Sequence, residues 1–203
     1  DHVSAYALVI EEGTRMWGQV RRGELPMPKD DDEATKYEMA DAALGQAGYE
    51  WYEISNWARP GAECRHNQAY WLDSDWWGAG PGAHSHLGDV RLWNTKHPVT
   101  WAGRIATGHL PVAGHEVIDV GSRELERIML GIRMREGIGL AGLGGASAGP
   151  CDDVGSTPSQ LAPVVSDLVT DGLLDAGAAM RGRAVLTLRG RLMADTVTRA
   201  LIW

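Results

Sequence analysis

Apolar residues fall on both faces of Val3-Ser4-Ala5-Tyr6-Ala7-Leu8-Val9-Ile10, the pattern of a strand covered on both sides. Glu11 to Thr14 then turn the chain into a polar connection that ends in Pro26, Pro28 and the acidic run Asp30-Asp31-Asp32. From about Glu33 to Ala47, the residues Ala34, Tyr37, Ala40 and Leu44 recur at spacings of three and four, which predicts a helix. The aspartates suit its N-terminus, where free N–H groups and the dipole favour negative charge, and Gly48 suits its stop. Glu50 to Ser55 reads as the next strand, giving a strand–helix–strand unit of the kind found in parallel sheets and barrels. Residues 56–95 are crowded with Trp, Gly, His and Asn, with a short strand expected near Trp76 to Gly80. Pro98 opens a helix to about Thr107, and the Gly/Pro-containing stretch 108–115 reads as a domain boundary.

The second half has a different rhythm. Ser122-Arg-Glu-Leu-Glu resembles a capping box and starts a helix carrying Leu125, Ile128, Met129, Ile132 and Met134 on its apolar side, the two methionines as core. Residues 141–156 are small and polar, a loop. Thr157 or Ser159 begins another amphipathic helix with Leu161, Val164, Val165, Leu168 and Val169, ending near Gly172. Leu173-Leu174, a turn, and the segment from Arg183 to Leu188 make a short hairpin, and a last helix carries Leu192, Met193, Val197 and Leu201. Helix, helix, hairpin, helix is a winged-helix-like order.

Composition narrows the classes. Of 203 residues, 44% are hydrophobic and 23% charged, enough for a real core and unlike a disordered chain. The net charge of −8 argues against nucleic acid as partner, and the expected helix at 157–172 contains no Lys or Arg and two Asp. No apolar run approaches the roughly 20 residues of a membrane span. Cys64 and Cys151, the two cysteines, make neither a disulfide framework nor a four-cysteine metal site. With no signal peptide at its start, the expected compartment is cytoplasmic. A double-faced strand pattern beginning almost at Asp1 needs neighbours, so the chain is expected to be the C-terminal part of a longer protein.

The chemistry concentrates between Trp51 and Trp93, which hold six of the nine Trp and three of the seven His. Arg65-His66-Asn67-Gln68-Ala69-Tyr70-Trp71 contains an HNxxYW motif that, if helical, sets His66 and Tyr70 on one face. A neutral imidazole is a good ligand for haem iron, and Trp and Tyr rings can pack a porphyrin face. The same residues also suit a hydrogen-bonded structural histidine inside a Trp-rich core. Gly78-Ala79-Gly80-Pro81-Gly82-Ala83 lies after the expected strand, where glycines let backbone approach an adenosine-type ligand or simply make a tight turn. Cys64 and His66 with His84 and His86 are a conceivable zinc set, although each pair is spaced more tightly than usual. There is no GxSxG elbow, P-loop or HExxH.

The segments SAYALVIEEGT (Ser4–Thr14), YEWYEISNWARPGAECRHNQAYW (Tyr49–Trp71), GAGPGAHSH (Gly78–His86), RLWNTKHP (Arg91–Pro98) and LTLRGRLMAD (Leu186–Asp195) closely resemble the HemW family. HemW proteins are radical SAM relatives of oxygen-independent coproporphyrinogen III oxidase, and HNxxYW resembles their haem-binding signature. The resemblance implies an α/β fold: the C-terminal part of a radical SAM (β/α)₆ partial TIM barrel over residues 1–113, followed by a mostly helical winged-helix-like domain over 114–203. It implies a haem chaperone that passes haem to recipient haemoproteins of the respiratory chain, associating with membranes only through those partners. His66 is then the haem-contacting residue and the candidate ligand of the haem iron, with Asn67, Tyr70 and Trp71 completing its motif. Gly78, Ala79, Gly80 and Ala83 match the relatives' strand end near the adenine of S-adenosylmethionine. The family also binds a [4Fe–4S] cluster through CxxxCxxC, and that motif is absent from this chain. The second function implied, by the related oxidases, is oxidative decarboxylation of coproporphyrinogen III.

Overall fold

Strands β1 (His2–Ser4) and β2 (Glu50–Glu53) do not pair with each other; β3 (Asn56–Ala58) lies between them, antiparallel to both. A computed structural model describes residues 1–141, 143 and 161–202 of this α/β chain. The described residues fall into two compact units, Asp1–Cys64 and Arg65–Trp203.

In the first unit, the ladder between β1 and β3 runs His2–Ala58, Val3–Trp57 and Ser4–Asn56. The strand expected over Val3–Ile10 is therefore shorter. It has a partner of only three residues, and beyond Ser4 one further backbone bond, Ala5 N–H to Ser55 O at 2.8 Å, closes the ladder. Tyr6 is 70% exposed in consequence. The expected strand–helix–strand unit is present in outline but carries an inserted antiparallel strand, because Ser55 (φ 69°) turns the chain straight back after β2. Between β1 and β2 come α1 (Arg15–Arg21), capped by the Thr14 hydroxyl, and α2 (Asp30–Gln46). Helix α2 takes in all of Asp30, Asp31, Asp32 and Glu33 in its first turn, where their charge opposes the positive end of the dipole. It starts three residues earlier than the apolar spacing suggested. Trp57 anchors it: the buried indole donates from Nε1 to Asp41 Oδ1 at 2.8 Å and lies 5.3 Å from the Tyr37 ring.

The second unit begins with α3 (Arg65–Trp71), followed by a meander of β4 (His84–Leu87), β5 (Val90–Asn94) and, after α4 (Pro98–Ala106), β6 (Val112–Val117). Residues 112–115 of the stretch read as a domain boundary lie in β6, which pairs with β5 from Val90–Val117 to Asn94–Val112. Its glycine, Gly114, sits under the Trp93 indole, where a Cβ would come within 2.5 Å of the ring. The strand expected at Trp76–Gly80 is a single bridge, Trp76 to His86.

Then follow α5 (Val120–Gly131), capped by Asp119, β7 (Ile138–Gly139), α6 (Leu161–Thr170), α7 (Ala176–Met180), β8 (Arg183–Ala184), α8 (Leu188–Leu192) and α9 (Ala194–Ile202). Ile128, Ile132, Leu140, Leu168, Leu174, Val197 and Leu201 form a buried apolar core. Met134 belongs to it, but Met129 is exposed on α5, against the expectation that both were core. The expected hairpin differs as well. The span between Leu174 and Arg183 holds helix α7, and β8 pairs with β7 while Leu174 and Leu186 share only one bridge. Apart from Ala141 and Leu143, the loop expected over 141–156 lies outside the described residues, as do the helix start at Thr157 or Ser159 and Cys151. Among the described residues, no helix is long and apolar enough to cross a membrane.

Candidate functional site

The HNxxYW segment is helical, so its four-residue spacing is realised in space. Helix α3 brings the His66 and Tyr70 rings to 4.9 Å between centroids, edge to face at 77°. Both side chains are exposed, while Asn67 and Trp71 are half-buried. Among the described residues no hydrogen bond or ion pair occupies the His66 imidazole, which leaves a ring nitrogen free to bind a metal centre such as haem iron.

Just past the helix the backbone enters the left-handed region at Asp73 (φ 53°), and the chain hooks back with Ser74 N–H bonded to Ala69 O. This return seats the Trp76 ring against Tyr70 at 5.1 Å and 70°. Trp76 in turn stacks on His86 at 6.5 Å and 18°, and the two residues exchange backbone bonds of 2.8 and 2.9 Å. The His86 ring is buried, its Nε2 3.1 Å from Asp73 Oδ1 without the alignment of a hydrogen bond. Asp73 also holds Arg123 of α5 at 3.3 Å, and Arg123 pairs with Asp89 as well.

The glycine-rich segment is held from the protein side. Gly78 N–H donates to the buried Ser85 hydroxyl at 2.9 Å, and buried Asn94 donates from Nδ2 to both Gly78 O (3.2 Å) and Gly80 O (3.0 Å). Gly78 must be glycine because its neighbour is the His84 backbone. Gly80 is different: its φ of 108° requires glycine, and the space where a Cβ would stand is open. Ala79 is exposed and Ala83 half-buried beside it.

The zinc set is not assembled. Among the described residues no group of three or more His, Cys, Asp or Glu could hold a metal ion. His86 faces Asp73 and Trp76, whereas His84 lies 6.0 Å from the Trp93 ring. The sequence reading missed Asp73, Trp76, Ser85 and Asn94. Only the local spacing of HNxxYW was periodic, and these four meet the site through turns and cross-strand pairing.

No protein-family model matches the chain. Over 202 residues and the whole of its length, it is 49% identical to the heme chaperone HemW of Mycobacterium tuberculosis. The chain belongs to the HemW family. Heme chaperone HemW of Bacillus subtilis is 28% identical over 202 residues, again across the whole chain. The mouse mitochondrial radical S-adenosyl methionine domain-containing protein 1 is 34% identical over 150 residues, covering 69% of the chain and 33% of the relative. The chain spans about half the length of the curated relatives it matches: 47% of the mycobacterial and 51% of the Bacillus HemW. Among solved structures, coproporphyrinogen III oxidase (HemN) from Escherichia coli, a radical SAM enzyme, shares the fold with a TM-score of 0.58 at 16% identity, over 86% of this chain and 42% of that one. HemW membership thus rests on sequence, and the HemN likeness concerns the fold alone.

Proposed function

We propose that this HemW-family chain carries the haem-contacting part of a haem chaperone, with His66 as the residue that meets the iron and Asn67, Tyr70 and Trp71 as the rest of the contact. The observation that carries the reading is the exposed His66 imidazole set edge-on to Tyr70 on one turn of α3. An imidazole so placed can ligate iron while the aromatic ring beside it offers an apolar surface to the porphyrin. Haem is the cargo, and its destination is a recipient haemoprotein; the respiratory chain as destination, association with membranes only through such partners and a cytoplasmic location are part of the same proposal.

S-adenosylmethionine belongs to the family's radical chemistry, for which it is the source of a 5′-deoxyadenosyl radical. The open space at Gly80 and the glycine-only backbone there fit close approach of a ligand, and Gly78, Ala79 and Ala83 line the same turn. Asn94 and Ser85 would hold that turn in shape. The [4Fe–4S] cluster does not fit these residues: two cysteines far apart in sequence cannot supply three closely spaced thiolates. A partial barrel over residues 1–113 and a winged-helix-like domain over 114–203 complete the reading. The pairing of β7 with β8 around α6 and α7 supports the latter.

The test is a haem titration followed at the Soret band, comparing the chain with His66→Ala. Saturable binding near one equivalent, weakened at least about tenfold in the variant, is expected. Unchanged binding in the variant removes His66 from the site, and no binding by a folded protein sinks the chaperone reading. One second reading, oxidative decarboxylation of coproporphyrinogen III, is compatible with the HemN-like fold. Turnover of that substrate by the full-length protein with S-adenosylmethionine and a reductant would establish it.

A further inference from the structure

The aromatic contacts around α3 form a line that leads from solvent to the buried His86 beside Asp73. His66 meets Tyr70 at 4.9 Å, Tyr70 meets Trp76 at 5.1 Å, and Trp76 stacks on His86 at 6.5 Å. All three separations are within the range where aromatic rings hold preferred orientations. The far end of the line is anchored: His86 is 4% exposed and packs by its Nε2 against Asp73, which Arg123 holds from α5. The near end, His66, is an exposed side chain on a helix of seven residues, and such a side chain left alone exchanges among rotamers.

We infer that Trp76 and His86, braced by Asp73 and Arg123, are positioning residues for the His66 imidazole, acting through the ring of Tyr70. The inference rests on His66 as the haem contact and adds what orients it. The two backbone bonds fix the Trp76 main chain beside His86, and tilting the indole would lose the stack, so Trp76 gives Tyr70 a wall. Tyr70, with that wall on one side, gives His66 a fixed edge on the other. A ligand whose ring plane is set before the metal arrives loses less freedom on binding. The same pre-setting narrows the spread of imidazole orientations about the iron–nitrogen bond.

The experiment uses ferric haem with the wild-type chain, His66→Ala, Trp76→Leu and Trp76→Phe. Affinity is read at the Soret band and ligand orientation by the line shape of the ferric haem in electron paramagnetic resonance, at folded fractions matched by circular dichroism. Trp76→Leu should bind about 3–10-fold more weakly with broadened lines. Trp76→Phe, which restores a ring against Tyr70, should recover most of the affinity and the narrow lines, as a general loss of stability would not. If Trp76→Leu does not fold, Trp76→Met fills the volume without a ring and carries the same expectation. Wild-type affinity and line shape in the ring-less variant, with binding lost in His66→Ala, overturn the positioning role and leave the haem contact standing. Wild-type behaviour in His66→Ala overturns the haem contact itself and the positioning role with it.

Discussion

A Cβ placed on Gly78 would stand 1.8 Å from the carbonyl oxygen of His84, so the backbone of the glycine-rich turn and that of β4 touch with nothing between them. Gly78→Ala must push two backbones apart, and about 2–3 kcal/mol of stability should be lost in urea unfolding. Gly103 is the control. It lies in helix α4 with open space at its Cβ position, and Gly103→Ala should gain about 0.5–1 kcal/mol through helix propensity. Equal effects at the two positions would contradict the close approach at Gly78.

Trp57 holds α2 against the first sheet through both its volume and its Nε1–Asp41 bond. Trp57→Phe keeps an aromatic ring but removes the donor and part of the filling, and should cost about 2 kcal/mol in chemical denaturation. Asp41→Asn retains an acceptor for the indole and should cost less than half as much.

Asp119 caps α5 by accepting from the Ser122 hydroxyl and from the Ser122 N–H, at 3.0 Å for the latter. The Ser122 hydroxyl first, and the backbone N–H next, hold the Asp119 carboxyl below the usual aspartate range. A carboxylate whose folded pKa is depressed adds stability that is fully present above its unfolded pKa and is lost as pH falls through the folded value. Asp119→Asn keeps a capping oxygen without a charge. Its urea midpoint should lie below that of the wild type near neutral pH, and the gap should close as pH drops below about 4. A gap that does not change with pH would mean that the charge at this cap is not linked to folding.

Asp73 occupies the left-handed region and meets both His86 and Arg123. Asn tolerates that backbone well and β-branched residues do not. Asp73→Asn should therefore cost about 1 kcal/mol, mostly lost ion pairing and partly screened by salt. Asp73→Val should cost about 1–3 kcal/mol more through strain, independent of salt. Thermal melts at low and high salt separate the two contributions.

Elements with their own periodicity were legible in the sequence: α2, α4 and α5 lie close to where apolar spacing or a leading proline put them, and HNxxYW is helical as its chemistry needed. The expected last helix is split, with Leu192 in α8, Met193 between and Val197 and Leu201 in α9. What failed depended on partners. The strand from Val3 to Ile10 looked long because its side chains alternate poorly and are apolar, but strand length is set by the ladder opposite, and β3 offers three residues. Asn56-Trp57-Ala58 is too short to show a period of two, so nothing in the sequence announced the antiparallel insertion. The pattern Leu173-Leu174 and Arg183–Leu188 suggested a hairpin, whereas β8 chose β7, more than forty residues earlier, as its partner. At the candidate site, His66 and Tyr70 could be paired from spacing alone. Trp76 and Asp73 reach them only because the chain reverses at a positive φ, which an aspartate permits but does not advertise.

The central place of β3 also fixes an order of events during synthesis. β1 emerges from the ribosome long before its partner: Ser4 and Asn56, bonded in the finished sheet, are 52 residues apart. β2 and β3 are adjacent in sequence and can close as a hairpin within microseconds of being made. The growing chain must therefore make both α1 and α2 before the ladder between β1 and β3 can close. At synthesis rates of roughly 5–20 residues per second, that ladder closes several seconds after β1 is made.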